Sequence, residues 1–291
     1  MSTFSAKDVM ALKERTNAGM MECKKALTES NGDVDKAIEL LREWGVTKGA
    51  APKSTEMKEG LVAAKISDDG KHGVIIRLGC QTDFVARNEM FQKLLGDLLN
   101  LAFTSNANTP AELHALPYPD GSGRTVDAVI KELIGSTIKE NMAVTGLGIA
   151  KTSNGHVGHY VHHNAKVGSL VLVEGAAGDA VKGVANEIAM HVTAGMPQVA
   201  VAIDRSGLPA EMVAKETEAA KQGIDTKKPP QIIEKIVAGK LDKVFGEIVL
   251  TEQPFVKEEK LKIRDLLATA GKTAGGALTI KYFSRLKVGE A

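Results

Sequence analysis

Twice along this chain, two short apolar segments joined by a turn signal are followed by a long helical stripe. That repeat limits the fold more than any other feature. Residues 61–66 and 73–79 are rich in Val, Ile, Leu and Ala and read as strands. Between them, Ser67-Asp68-Asp69-Gly70-Lys71-His72 is dense in turn formers. Met90, Phe91, Leu94, Leu95, Leu98, Leu99 and Leu101 then recur at helical spacing and predict a helix over 88–102. A further helix is expected over 126–141. Residues 144–151 and 156–162 flank Asn154-Gly155, the best short hairpin signal in the chain. Residues 167–174 continue that sheet, and 180–194 supply its helix. The expected class is α+β, with two related subdomains built on antiparallel sheets.

Other segments lie outside the repeat. The first 50 or so residues predict three short helices. Ser5 with Asp8 makes a capping-box start, with Val9 and Leu12 inward; Met20, Cys23 and Leu27 share a face of the second helix. Asp33, after the Asn31-Gly32 turn, caps a third helix bearing Val34, Ile38 and Leu41, which Gly45 is placed to end. Residues 48–59, with Pro52, read as a linker. Between 209 and 249 a charged helix over 210–223 meets Thr226-Lys227-Lys228-Pro229-Pro230, which cannot continue it. Ile232, Ile233, Ile236, Val237, Leu241, Val244 and Phe245 then give a second stripe, so an antiparallel helical hairpin is expected. A helix over 257–270 and a strand near 278–286 complete the chain. The expected domains are 1–53 (helical, with linker), 54–142 (first subdomain), 143–208 (second, first part), 209–249 (hairpin insertion) and 250–291 (completion of the second).

A chain of 291 residues with 37 basic and 36 acidic side chains is nearly neutral, which argues against nucleic-acid binding by phosphate neutralisation. Two cysteines, Cys23 and Cys80, imply no disulfide framework and point to a reducing cytosol. No apolar run approaches membrane-spanning length. Gly271-Lys272-Thr273 lacks the first glycine of a phosphate loop, because Leu266 stands there. Gly146-Leu147-Gly148 lacks the third glycine of a dinucleotide fingerprint. Four of the seven histidines crowd into His156, His159, His162 and His163. A metal-binding enzyme using the His156–His163 cluster is the alternative reading, but in a strand these residues divide between two faces with no acid or cysteine among them. No cofactor, metal or catalytic residue is expected.

The stretch Gln81-Thr82-Asp83-Phe84-Val85-Ala86-Arg87-Asn88-Glu89 places an acid and an aromatic at a strand-to-helix corner. Thr82 or Asp83 would cap the helix over 88–102, and Phe84 either staples that helix to the core or points outward. Residues 12–27 are a second distinctive segment, Leu-Lys-Glu-Arg-Thr-Asn-Ala-Gly-Met-Met-Glu-Cys-Lys-Lys-Ala-Leu. Together the two closely resemble the signatures of bacterial translation elongation factor Ts. Ile188-Ala189-Met190-His191-Val192, Glu252-Gln253-Pro254-Phe255-Val256 and Val288-Gly289-Glu290 fit as well, so the resemblance spans nearly the whole chain.

That resemblance implies a UBA-like (ubiquitin-associated-like) N-terminal bundle, a protruding coiled coil at the hairpin, and a cytoplasmic guanine nucleotide exchange factor with no active site of its own. Its partner would be elongation factor Tu, GDP-bound and nucleotide-free. Thr82, Asp83, Phe84 and Val85 match the family's wedge, which disturbs the partner's Mg²⁺ and phosphate site and releases GDP. Lys13, Met20 and Met21 match the N-terminal grip. His162 or His163, with Lys166, matches a contact of the second subdomain. Arg77 stands where the family usually has Glu, Gly79 where it usually has Asn, Lys13 where Arg is usual, and Lys287 where an acid is usual.

Overall fold

The computed structural model describes residues 4–16, 18–44, 56–224 and 229–290. The chain forms two compact units, Met1–Thr55 and Glu56–Ala291. Gly45, most of the expected linker and the turn residues Thr226, Lys227 and Lys228 lie outside the described residues.

The first unit holds three helices, α1 (Ala6–Thr16), α2 (Met20–Glu29) and α3 (Val34–Glu43). The Asp8 carboxylate accepts from Ser5 N at 2.7 Å and Ser5 Oγ accepts from Asp8 N at 3.4 Å, which completes the capping box. Asp33 Oδ1 accepts from Asp35 N and Lys36 N, capping α3. Leu12, Cys23, Ala26, Leu27, Ala37 and Leu41 are fully buried in the centre. Met20 does not share that face, contrary to expectation: the core is closed by Cys23, Ala26 and Leu27, and Met20, the first residue of α2, stands beyond it.

The second unit begins with β1 (Glu59–Ile66) and β2 (His72–Cys80), joined by the expected turn. A single turn, α4 (Asp83–Ala86), precedes α5 (Glu89–Thr104). The corner therefore makes two helices. Thr82 caps the short one, while Asn88 Oδ1 accepts from Met90 N to cap the long one. Phe91, Leu94, Leu95 and Leu98 pack α5 on β2. α6 (Pro110–Ala115), which has no strong apolar stripe, and α7 (Val126–Leu133) follow. The helix expected over 126–141 ends early, in a π turn over Ile134–Ile138. Lys139 then takes a left-handed φ of 56°, which breaks the helical path.

β3 (Met142–Lys151) pairs antiparallel with β2, giving the sheet β1-β2-β3. β4 (Gly155–Val161) leaves it. Together with β5 (Val167–Glu174), it forms the second sheet, and α8 (Asp179–Ala194) packs on it. Asn154-Gly155 is thus a turn between sheets and not a hairpin. Gly155 pairs with Glu174, and Thr152 Oγ1 donates to Glu174 Oε1 at 2.7 Å, so β5 captures the chain. At Gly158, a Cβ would lie 2.2 Å from the Ala185 backbone. Gly158→Ala is expected to cost about 1–3 kcal/mol by forcing α8 off the sheet, read as a lower urea midpoint.

α9 (Ala210–Lys221) and α10 (Pro230–Ile248) form the helical hairpin. Met212, Val213, Leu241, Val244 and Phe245 join at its base, and Lys240 Nζ donates to the Ala220 and Gln222 carbonyls at the far end of α9. A short ribbon, β6 (Pro254–Phe255) with β7 (Glu258–Lys262), occupies the first part of the helix expected over 257–270. Its consecutive charged residues Glu258, Glu259 and Lys260 are exposed and suit a solvent-facing ribbon, and α11 (Ile263–Ala274) starts only where Ile263 and Leu267 reach the core. β8 (Thr279–Lys287) returns beside β5, so the second sheet runs β4-β5-β8.

Candidate partner-binding site

Cys80 ends β2 and points inward, fully buried. Burial pushes its thiol up to about 11, so it is an inert core group. Its Sγ donates to the Thr82 carbonyl at 3.2 Å. Thr82 Oγ1 accepts from Val85 N at 3.4 Å and donates to Glu140 Oε2 at 2.9 Å. Val85 and Ala86 turn into the core below α5. A four-residue turn that sends Val85 inward presents the preceding side chain outward, and Phe84 is 80% exposed. The stapling alternative for Phe84 is thereby set aside. Asp83 pairs with Arg87 at 2.9 Å on the same turn.

The loop after β4 carries His162, His163 and Lys166. His162 and His163 stand edge to face with ring centroids 4.2 Å apart. Lys166 Nζ donates to Glu59 Oε2 at 2.6 Å and to the Gly60 carbonyl at 3.0 Å. Glu59 pairs with Cys80 across β1 and β2. The loop and the Phe84 turn therefore stand at one end of the first sheet, with the Lys166–Glu59 pair between them. These contacts tie the loop to the start of β1.

The closing residues join the same end. Arg77 is buried, and its guanidinium donates to Thr145 Oγ1 and to the carbonyls of Thr145, Lys287 and Glu290. Arg77 thus anchors the C-terminal segment through main-chain acceptors, a role that needs a donor side chain. In the first unit Lys13, Met20 (50%) and Met21 (76%) are all exposed.

Two further blocks meet far from the corner. His191 is buried on α8; its Nδ1 accepts from Val256 N at 3.2 Å and its Nε2 lies 3.0 Å from Gln253 Oε1. Those contacts place the ring proton on Nε2. Burial holds the His191 imidazole below the ordinary histidine range, as it does His72, His114, His156 and His159. A folded-state pKa below the unfolded value means that the unfolded chain binds more protons. Stability is therefore expected to be full above pH about 6.5 and to fall as pH drops below it, seen as a lower Tm at pH 5.5 than at 7.5.

Among the described residues no three His, Cys, Asp or Glu side chains are grouped to hold a metal ion. His156 and His159 lie on β4, whereas His162 and His163 lie beyond its end. A cavity of about 700 Å³ opens beside α11, lined by Leu267, Gly271, Lys272, Leu278 and Ile280 among others. Gly271-Lys272-Thr273 lies inside α11 there, not in a loop opening a helix, so it forms no phosphate loop. No helix among the described residues is long and apolar enough to cross a membrane.

Glu140 and Asn141 carry no sequence signal of their own, although with Gln81 and Thr82 they tie the corner together. Asn141 N donates to Gln81 Oε1 at 2.9 Å. They come from segments about sixty residues apart with no motif linking them.

The family model described as Elongation factor TS matches residues 81–290. Elongation factor Ts of Chlorobium limicola is 41% identical over 292 residues, covering 100% of both chains. The chain belongs to the elongation factor Ts family. Elongation factor Ts of Chloroherpeton thalassium is 36% identical over 292 residues with the same coverage, and that of Rickettsia bellii 38% over 295, covering 99% of this chain and 92% of its own. As a member of the elongation factor Ts family, the chain serves protein biosynthesis at translation elongation. The matched range contains the Phe84 corner, the His162–Lys166 loop, the His191–Gln253 pair and the closing segment.

Proposed function

We propose that the protein is a guanine nucleotide exchange factor that binds elongation factor Tu·GDP and promotes GDP release, without an active site of its own. One observation carries this reading: Phe84 is 80% exposed on a capped turn whose neighbours Val85 and Ala86 are buried. An exposed aromatic on a rigid support has no use in the fold and suits insertion into a partner. Asp83 stands beside it, and Met20 and Met21 offer a soft apolar surface for a second grip with Lys13. His162 and His163 face the partner from the loop that Lys166 secures. In this reading the chain works as a helical N-terminal domain (1–53), a wedge subdomain (54–142), a second subdomain (143–208 and 250–291) and a hairpin arm (209–249).

An exchange factor must bind the nucleotide-free partner better than the nucleotide-bound one, and by reciprocity nucleotide then expels the factor. Each tenfold of exchange needs about 1.4 kcal/mol of such coupling, so several contacts must share it. The wedge supplies part by packing that the partner accommodates only after its Mg²⁺ and phosphate site has shifted. The test is stopped-flow release of a fluorescent GDP analogue from elongation factor Tu. Acceleration by the protein supports the assignment; release no faster than the spontaneous rate removes it.

A further inference from the structure

We infer that Glu140 is a positioning residue for the Phe84 turn, an inference that rests on the wedge reading above. The antiparallel ladder of β2 and β3 ends with Cys80 opposite Met142. Beyond it the two chains continue to match in the same order, but through side chains. Asn141 N donates to Gln81 Oε1 at 2.9 Å, and Thr82 Oγ1 donates to Glu140 Oε2 at 2.9 Å. Residues 140–142 thus engage residues 80–82 one for one.

The Thr82 contact does more than close the ladder. A threonine hydroxyl has one proton and two lone pairs. With its proton committed to the Glu140 carboxylate, its lone pairs face Val85 N, 3.4 Å away, which is the cap of α4. At that distance the cap is weak, and a rotor free to donate to water would not hold it. Glu140 is itself held in place, because the π turn over Ile134–Ile138 ends on left-handed Lys139 and delivers the next residue to the corner. The Glu140 carboxylate takes a hydrogen bond from the Thr82 hydroxyl. The ladder below is sealed by backbone bonds and does not depend on it. Its effect is therefore local: it sets the angle and order of the turn that carries Phe84.

The experiment crosses Glu140→Ala and Glu140→Gln with Phe84→Ala in the GDP-release assay, and follows Val85 amide hydrogen exchange in the free protein. Glu140→Ala is expected to slow release about tenfold and to expose the Val85 amide. Glu140→Gln, whose amide oxygen still accepts from Thr82, recovers most of both losses. In the Phe84→Ala background, Glu140→Ala adds nothing further, since it acts through the ring. Equal losses in both backgrounds would show a general fold effect and overturn the inference, as would an unchanged Val85 amide. If Phe84→Ala alone leaves release intact, the wedge reading fails, and the inference falls with it even where the Val85 amide shows that Glu140 orders the turn.

Discussion

Phe84→Ala is expected to cut the acceleration of GDP release from elongation factor Tu by about 10- to 100-fold. The magnitude follows from the ring. Burying a phenylalanine side chain is worth about 1.5–3 kcal/mol, and each 1.36 kcal/mol lost from a transition state is a factor of ten in rate. Because the ring is 80% exposed in the free protein, its removal touches little of the fold. Tm is expected to move by no more than about 2 °C, as for other exposed positions. A large rate loss with unchanged Tm separates the wedge from a folding role. A loss below threefold with the fold intact would shift the mechanism to the N-terminal methionines and the His162–His163 loop.

Gln253→Ala is expected to destabilise the second unit by about 3–5 kcal/mol, the largest stability effect at any single polar residue described above. Gln253 is 1% exposed. Its Nε2 donates to the Gln198 carbonyl at 2.8 Å and to the Glu247 carbonyl at 2.5 Å, while its Oε1 meets His191 Nε2. Truncation leaves one buried donor and two carbonyls without this partner, and each unsatisfied buried group costs about 1–3 kcal/mol. The lost packing adds to that. The pair holds three segments together: α8, the end of α10 and the return toward β6. Urea unfolding should show a lower midpoint at unchanged slope. A shift under 1 kcal/mol would mean that water replaces the amide and that the junction is not sealed.

The family blocks that are far apart in sequence acquire their meaning from such junctions. His191 and Gln253 are 62 positions apart yet share a hydrogen bond, and Arg77 reaches the main chain of Lys287 and Glu290. The pairing joins residues 188–192 to residues 252–256 in the folded chain.

Local chemistry was legible wherever one segment answers to its own residues. Ser5 and Asp8, Asp33, the Ser67–His72 turn and the apolar stripe of α5 each determine a cap, a turn or a helix through neighbours within four or five positions. The α+β class and the aromatic at the strand-to-helix corner follow from these signals and from the family resemblance. What lay beyond them was decided by long-range pairing. Asn154-Gly155 determines a turn, but only the capture of Gly155 by Glu174 decides that β3 and β4 enter different sheets. Residues 258–262 become a strand because Pro254 and Phe255 offer an edge, and α11 waits for the core at Ile263. Above all, the sequence leaves Phe84 either stapled to the core or pointing outward, and the fold decides for the outward position. Val85 takes the inward place, Thr82 holds the turn, and Glu140, 58 residues away, fixes the hydroxyl that caps it. No local periodicity encodes a contact between segments that meet only when the sheet closes.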